Sequence, residues 1–193
     1  SLVNTYEHTV RDDNLLENGE FENGLQGWSM SNDTNTICNE TGHCGSDKAV
    51  KLIGEPNKTC SISQSFGGMS TGETFEVGGW AKANASPQNP FNITVTFYNA
   101  ARVADVQTIN FNPYCSDWQY VIKTFKADIF YTHFVVSVNY SNQINEALFD
   151  GIVVYKSDYT YNDSTSVTEP DENESESKNE NFSSSVNSDN SVT

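Results

Sequence analysis

The chain has 193 residues and carries 26 acidic against 10 basic side chains, for a net charge of −16. This balance argues against nucleic acid as a partner, because that affinity comes largely from Lys and Arg that neutralise phosphates. It equally argues against an anionic membrane surface. Neutral ligands or cations are favoured instead.

Apolar runs in the sequence stay shorter than the roughly 18 residues of a membrane span, so we expect no membrane insertion. The sequence starts at Ser1 without a leader peptide. We therefore interpret it as a mature or excised part of a longer multidomain chain.

Short runs of alternating apolar residues follow one another from residue 14 onward, separated by clusters of Gly, Asn, Pro and Ser. They are rich in β-branched and aromatic residues and lack a sustained period of 3.6 residues, which predicts strands. After an opening strand, eight candidate strands are expected: KAVKLIG, CSISQSF, ETFEVGGWAKA, NITVTFYN, VQTINFN, WQYVIKTFKA, THFVVSVNY and ALFDGIVVYK. This spacing predicts an all-β sandwich or barrel with almost no helix.

Composition divides the chain into three segments. Residues 1–13 are interpreted as a lead-in linker and residues 14–156 as the folded domain. Residues 157–193 contain almost no large apolar side chain and many Ser, Asn and acidic residues, so we expect a disordered acidic tail. A solvated linker toward a further domain is the first interpretation of this tail, and an acidic partner-binding segment is the alternative.

Alternation assigns side chains to the two faces of each strand. It places Trp80 and Lys82 outward on residues 75–83, and Tyr98 outward among Asn and Thr on residues 91–98. An outward aromatic ring among polar groups suits a sugar, because a pyranose stacks its apolar face on the ring while its hydroxyls are hydrogen-bonded. Ordinary pairing of aromatic side chains on a solvated sheet is the alternative. The inward residues expected on three strands are Phe75, Val77, Gly79, Ala81, Ala83, Phe91, Ile93, Val95, Phe97, Phe134, Val136, Val138 and Tyr140.

Four cysteines allow more than one arrangement. Cys38, His43 and Cys44 offer zinc ligands, although a structural zinc site needs four ligands at tight spacings. A disulfide between Cys38 and Cys44 in an exported protein is the alternative. Cys60 and Cys115 are interpreted as free or buried thiols.

Catalytic motifs are missing from the sequence: it contains no GxSxG, HExxH or phosphate-binding glycine loop. The three histidines fall in the lead-in, a loop and a strand. We therefore predict a protein that is not an enzyme.

The stretch NLLENGEFENGLQGW, residues 14–28, combines two Asn-Gly turns with the core candidates Leu15, Leu16 and Phe21, followed by Trp28. It resembles the opening of carbohydrate-binding modules with a galactose-binding-like jelly roll, including the CenC-type and xylan-binding modules, where an N-G-x-F-E-x-G-x-x-G-W run is common. Downstream, GSDKAVKLIG, SISQSF, GETFEVGGWAKA, WQYVIKTFKA and ALFDGIVVYK resemble further conserved strands of that family.

The resemblance covers residues 14–156 and implies a jelly-roll β-sandwich. The forms GWAKA and FDGIVVYK, which lead into SDYTYND, are especially similar to modules inside bacterial YD-repeat (RHS, wall-associated) surface proteins. The resemblance therefore implies a secreted or cell-surface module that binds glycan without catalysis. A structural spacer or protein-interaction domain without a sugar ligand is the alternative.

The resemblance also implies a structural Ca²⁺. Carried onto this sequence, its ligands are Glu22, the backbone around Asp47 and Lys48, and Asp150. A hard cation that takes oxygen ligands from both ends of the domain would clip the fold shut.

The sugar site implied by the resemblance contains Trp80 first, then Tyr98, Lys82 and Gln119. Gln64, in the strand SISQSF, is interpreted as structural rather than as a ligand contact.

Overall fold

Ten strands form two antiparallel five-stranded sheets in the part of the chain that the structure describes. The structure is a computed structural model. It describes residues 12–31, 35–43, 46–83, 88–141 and 145–157, with the backbone alone at 35–40, 69–70 and 88–89. The predicted tail and almost all of the predicted lead-in lie outside the described residues.

The strands carry the labels β1 to β10 in chain order. Their bounds are β1 Ser29–Met30, β2 Asn35–Glu40, β3 Ala49–Ile53, β4 Cys60–Ser70, β5 Thr74–Ala83, β6 Gln88–Asn99, β7 Arg102–Asn110, β8 Gln119–Lys126, β9 Tyr131–Ser141 and β10 Glu146–Ser157. Sheet A has the order β1-β4-β9-β6-β7, and sheet B the order β2-β3-β10-β5-β8. No helix among the described residues has the length and apolar character needed to cross a membrane.

The apolar faces of the two sheets form the core. All thirteen predicted inward residues are buried, including Gly79. This confirms the all-β sandwich and the eight predicted strands. The sequence did not reveal two strands, β1 and β2. Strand β1 has only two residues, and strand β2, with the sequence NTICNE, lacks apolar alternation.

The predicted opening strand is wrong, because residues 14–28 form successive turns. Leu15 N donates to Val154 O at 2.9 Å, and Ile152 N donates to Gly19 O at 3.0 Å. Asn14 adds two side-chain bonds, from Nδ2 to Ile152 O at 3.0 Å and from Val154 N to Oδ1 at 2.9 Å. The opening segment thus satisfies the backbone of β10 where its pairing with β3 has ended.

Turn geometry in this segment is set by particular residues. Asn18 and Phe21 both adopt positive φ, at 53° and 55°, a conformation that is rare for a bulky residue. Gly19 is needed for a different reason, since a Cβ there would collide with Ile152 O. Phe21 is fully buried and stacks on Trp28 with ring centroids 5.3 Å apart.

Two other expectations for this region have different outcomes. Leu16 is buried as expected, but Leu15 is 40% exposed and lies outside the core. Gln64 ties the segment to sheet A, because its amide accepts from Glu17 N at 3.0 Å and donates to Glu17 O at 2.6 Å. Both ends of the Gln64 amide are therefore used within the fold.

Two of the four cysteine side chains lie within the described residues. Cys60 and Cys115 form no disulfide within the described residues, and Cys60 Sγ donates to Ile53 O at 3.0 Å. The side chain of Cys38 and all of Cys44 lie outside the described residues, so both interpretations of that pair stay predictions.

Replacement of Asn14 by Ala should destabilise the domain by about 1–3 kcal/mol, because a backbone donor and a backbone acceptor on β10 would lose their partner. Urea denaturation monitored by Trp fluorescence measures this. Asn23→Ala, at an exposed residue of the same segment, is the control and should stay within about 0.5 kcal/mol of wild type. Equal stability of the two variants would contradict the proposed role of Asn14.

Candidate ligand-binding face and metal centre

The outer face of sheet A is a polar surface built by the side chains that alternate with the core. Register places these residues of β4, β6 and β9 side by side. They are Ser61, Ser63, Ser65, Asn92, Thr94, Thr96, Tyr98, His133, Val135, Ser137 and Asn139.

Asn139 is the centre of a hydrogen-bond network on this face. Its Nδ2 donates to Asn92 Oδ1 and to Thr94 Oγ1, both at 3.0 Å. Its Oδ1 accepts from Ser61 Oγ at 2.8 Å and from Ser137 Oγ at 2.7 Å. Groups that bond to each other in this way are held in place before any ligand arrives, which lowers the entropic cost of binding.

An aromatic pair lies on the same face. Tyr98 and His133 are cross-strand neighbours whose rings stack with centroids 4.7 Å apart and planes 3° apart. Thr132 Oγ1 lies 3.1 Å from His133 Nδ1 and donates to Tyr98 O at 3.2 Å. Both rings are half-buried, and Val103 of β7 is the cross-strand neighbour of Tyr98 on the side away from His133.

The predicted sugar residues are not brought together. Tyr98 lies on the outer face of sheet A, whereas Trp80 and Lys82 lie on the outer face of sheet B. These faces point away from each other, because the core lies between the sheets. The amide of Gln119 is engaged at both ends by the backbone of Asn112, at 2.7 Å and 2.8 Å.

Trp80 is covered rather than open. It is half-buried, and the imidazole of His43 stacks on its indole with centroids 4.7 Å apart and planes 15° apart. Tyr120 packs on it at 5.2 Å, and Trp118 meets the His43 ring edge-on at 6.2 Å. A sugar ring would have to displace His43 to reach that face of the indole.

Beneath His43 lies a buried acidic centre. The carboxylate of Asp150 is fully buried. It accepts hydrogen bonds from His43 N at 3.2 Å and from Gly151 N at 2.8 Å, and its Oδ2 lies 2.8 Å from His43 Nδ1. Glu20 completes the group, since ligand atoms of Glu20, His43 and Asp150 all lie within 4.8 Å of one another.

The electrostatics of this centre show in the Glu20 carboxyl group. Desolvation raises its pKa above the usual 4.5, and the neighbouring Asp150 raises it further, while His43 acts in the opposite direction. Two carboxylates that approach each other favour either a shared proton or a cation between them.

Oxygen atoms converge beside this centre, around Gly42. A Cβ on Gly42 would overlap Asp150 Oδ2 and come within 2.7 Å of Lys48 O and 2.8 Å of Ser46 Oγ. Ser46 Oγ in turn donates to Glu22 Oε1 at 2.9 Å and lies 3.2 Å from Lys48 O. Glycine is thus required at position 42, where carboxylate, carbonyl and hydroxyl oxygens crowd against the backbone.

Three of the four predicted metal residues contribute oxygen atoms to this cluster beside Gly42. They are Glu22, Lys48 and Asp150, while Asp47 is exposed. Sequence reasoning offered His43 as a metal ligand only together with Cys38 and Cys44, and it missed Glu20. In an extended strand Glu20 and Glu22 would lie on one side, but the positive φ of Phe21 turns the chain between them.

A family model described as "Carbohydrate binding domain" matches residues 13–143 of the chain. A search of curated proteins finds no match.

Several solved structures share the fold. The enzymatically active domain of tailspike protein 4 of bacteriophage CBA120 aligns with a TM-score of 0.62 at 14% identity, over 75% of this chain and 22% of the tailspike chain. A family 16 carbohydrate-binding module aligns with a TM-score of 0.56 at 23% identity, over 73% of this chain and 99% of the module. TmCBM61 in complex with β-1,4-galactotriose aligns with a TM-score of 0.51 at 15% identity, over 75% of this chain and 99% of that module. At these identities the similarity establishes the sandwich fold alone.

Replacement of Glu20 by Gln should stabilise the metal-free domain at neutral pH, because it removes a carboxylate that burial and Asp150 disfavour. A carboxyl group whose pKa is raised in the folded state lowers the stability of the fold as the pH rises from its unfolded-state pKa through its folded-state pKa. The gain in Tm over wild type should therefore be present at pH 7 in EDTA and disappear as the pH falls below about 4.5.

Thermal melts of both proteins from pH 4 to pH 7 measure this difference. Glu76→Gln, on β5 and away from the Glu20–Asp150 centre, is the control, and its Tm difference from wild type should show no such trend with pH. A Glu20→Gln variant less stable than wild type at pH 7 in EDTA would contradict the prediction.

Proposed function

The chain belongs to the family of carbohydrate-binding domains, and we propose that it binds glycan, without catalysis, on the outer face of sheet A. The Tyr98–His133 pair and the Asn139 network carry this proposal. They set an aromatic surface and fixed hydroxyl and amide groups on the same face of β6 and β9, with about 13 Å of strand between Tyr98 and Thr94.

The physical fit is to a neutral, hydroxyl-rich ligand. A glycan chain can stack the apolar face of one pyranose on Tyr98 while the Ser, Thr and Asn groups of β4, β6 and β9 bond the hydroxyls of its other sugar units. The net charge of −16 does not oppose a neutral sugar. Chains of several sugars suit a face of this kind, because the polar residues extend along three adjacent strands.

Tyr98, rather than Trp80, is the proposed aromatic contact for the sugar. Trp80 carries His43 on its ring, whereas Tyr98 shares its ring with a neighbour on an outer face of the sandwich. Lys82 and Gln119 are not part of the proposed site either. Lys82 lies on sheet B, and the amide of Gln119 is bonded to the backbone of Asn112.

We place this module in a larger secreted or cell-surface protein, where a non-catalytic domain holds its parent on a glycan. A spacer within a YD-repeat surface protein is the competing function, and the binding test below separates the two.

Tyr98→Ala should weaken glycan binding at least about tenfold, the equivalent of about 1.4 kcal/mol of stacking. A glycan array with the full chain identifies the ligand, and isothermal titration compares the variants. Trp80→Phe is the matched control: it keeps a ring against His43 and should bind like wild type.

Loss of binding in Trp80→Phe, with Tyr98→Ala unaffected and both variants folded, would return the site to sheet B. A folded wild-type chain that binds nothing on a broad array would support the spacer function instead.

We also propose that Ca²⁺ binds among the oxygen atoms beside Gly42 and stabilises the fold. Glu22, Asp150, Ser46 Oγ and Lys48 O supply hard oxygen donors, which is the ligand type that Ca²⁺ requires. Such an ion would join Glu22 of the opening segment to Asp150 of β10.

Ca²⁺ at 100 times its dissociation constant should stabilise the domain by about 2.7 kcal/mol and raise its Tm relative to EDTA. Glu22→Gln should abolish most of this rise, because it removes a charged oxygen from the donor set. Differential scanning calorimetry measures both, with Glu17→Gln, an exposed carboxylate of the same segment, as control. An equal Tm in Ca²⁺ and in EDTA would rule the ion out.

A further inference from the structure

We propose that Glu20, His43 and Asp150 form a second cation site, selective for a divalent transition metal such as Zn²⁺. The three ligand atoms lie within 4.8 Å of one another, and they come from three separate parts of the chain. Glu20 belongs to the opening segment, His43 to the turn before β3, and Asp150 to β10. The inference is independent of glycan binding.

The imidazole determines the class of ion. Ca²⁺ takes oxygen ligands, whereas Zn²⁺ and its neighbours bind an imidazole nitrogen together with carboxylates. His43 Nδ1 already points at Asp150 Oδ2 at 2.8 Å. A metal would replace this hydrogen bond with two metal–ligand bonds, and Glu20 would supply the third.

Supporting contacts hold the ligands in place, as second partners do in established metal sites. Gly151 N fixes Asp150 Oδ1 at 2.8 Å. The indole of Trp80 stacks on the imidazole and fixes the plane of its ring. His43 is 2% exposed and Asp150 fully buried, so two of the three ligands are shielded from water.

Gly151 gives the site its room. It adopts φ +55°, and a Cβ there would lie 3.0 Å from His43 Cε1, 3.1 Å from Trp80 Cδ1 and 3.5 Å from Glu20 Oε1. Any other residue would be strained and would crowd His43 and Trp80. Glycine at this position therefore lets the His43 ring lie close to β10.

The charges in the centre favour a dication. Glu20 and Asp150 bring two carboxylates together in a partly desolvated place, where their negative charges repel each other. A bound metal ion would offset that repulsion. Three protein ligands leave a fourth position for water or a ligand, as in open zinc sites.

Asp150 is shared with the proposed Ca²⁺ site, but the other ligands differ. Glu20 and His43 belong to the transition-metal site alone, and Glu22, Ser46 and Lys48 O to the calcium site alone. Glu20→Gln and Glu22→Gln are therefore a matched pair: two nearby carboxylates, each removed from one site only.

Calorimetric titration of the metal-stripped full chain with Zn²⁺ measures the dissociation constant. Binding of Cu²⁺ is measured separately by quenching of Trp fluorescence, to which the stacked Trp80 contributes. We expect one site whose dissociation constant for Zn²⁺ rises at least about tenfold in Glu20→Gln and in His43→Gln. Glu22→Gln and His133→Gln should stay within about twofold of wild type. Glu20 is exposed, so its variant reports on the site even where His43→Gln fails to fold.

Failure of wild type to bind Zn²⁺ below millimolar concentration, with Ca²⁺ still raising the Tm, would overturn this inference and leave the calcium proposal standing. Zn²⁺ binding that is equal in wild type, Glu20→Gln and His43→Gln would also overturn it, because the ion would then be held elsewhere on the chain.

Discussion

The buried carboxylate of Asp150 is the constraint on which the rest of the structure depends. A fully desolvated carboxylate is costly unless hydrogen bonds or a cation satisfy it. Its partners include two distant segments, the His43 turn and the opening segment that contributes Glu20, besides the backbone of the neighbouring Gly151. One side chain of β10 therefore meets two loops that lie outside the sheets.

That constraint explains why the outer faces of the two sheets differ. On sheet B the turn before β3 must reach Asp150, and in doing so it lays the His43 ring on Trp80. On sheet A the outward residues of β4, β6 and β9 bond mainly to one another. The sandwich thus has one outer face that the His43 turn covers and one outer face whose polar groups bond mainly to one another.

How much of this follows from the sequence depends on the range of the interaction. Alternation correctly identified the inward rows, such as Phe91 to Phe97, because period 2 is a property of neighbouring residues. It did not reveal which sheet each strand joins, so Trp80 and Tyr98 looked like members of one surface. The contact between His43 and Asp150 spans 107 residues, and no local pattern encodes it. Phe21 shows a third limit, because its positive φ turns Glu20 and Glu22 toward different partners where alternation would have put them on one side.

Trp80 and Tyr98 show why an aromatic residue among polar neighbours is an ambiguous signal. Both alternate with core residues, both lie on an outer face, and both stack on a histidine. The difference lies in where that histidine comes from. His133 is the cross-strand neighbour of Tyr98 within the sheet, so the pair is part of the face. His43 comes from a turn held down by Asp150, so it covers the face. Whether an outward aromatic ring serves a ligand or the fold is therefore decided by a loop contact elsewhere in the chain, and in this protein that contact is made by one buried acid.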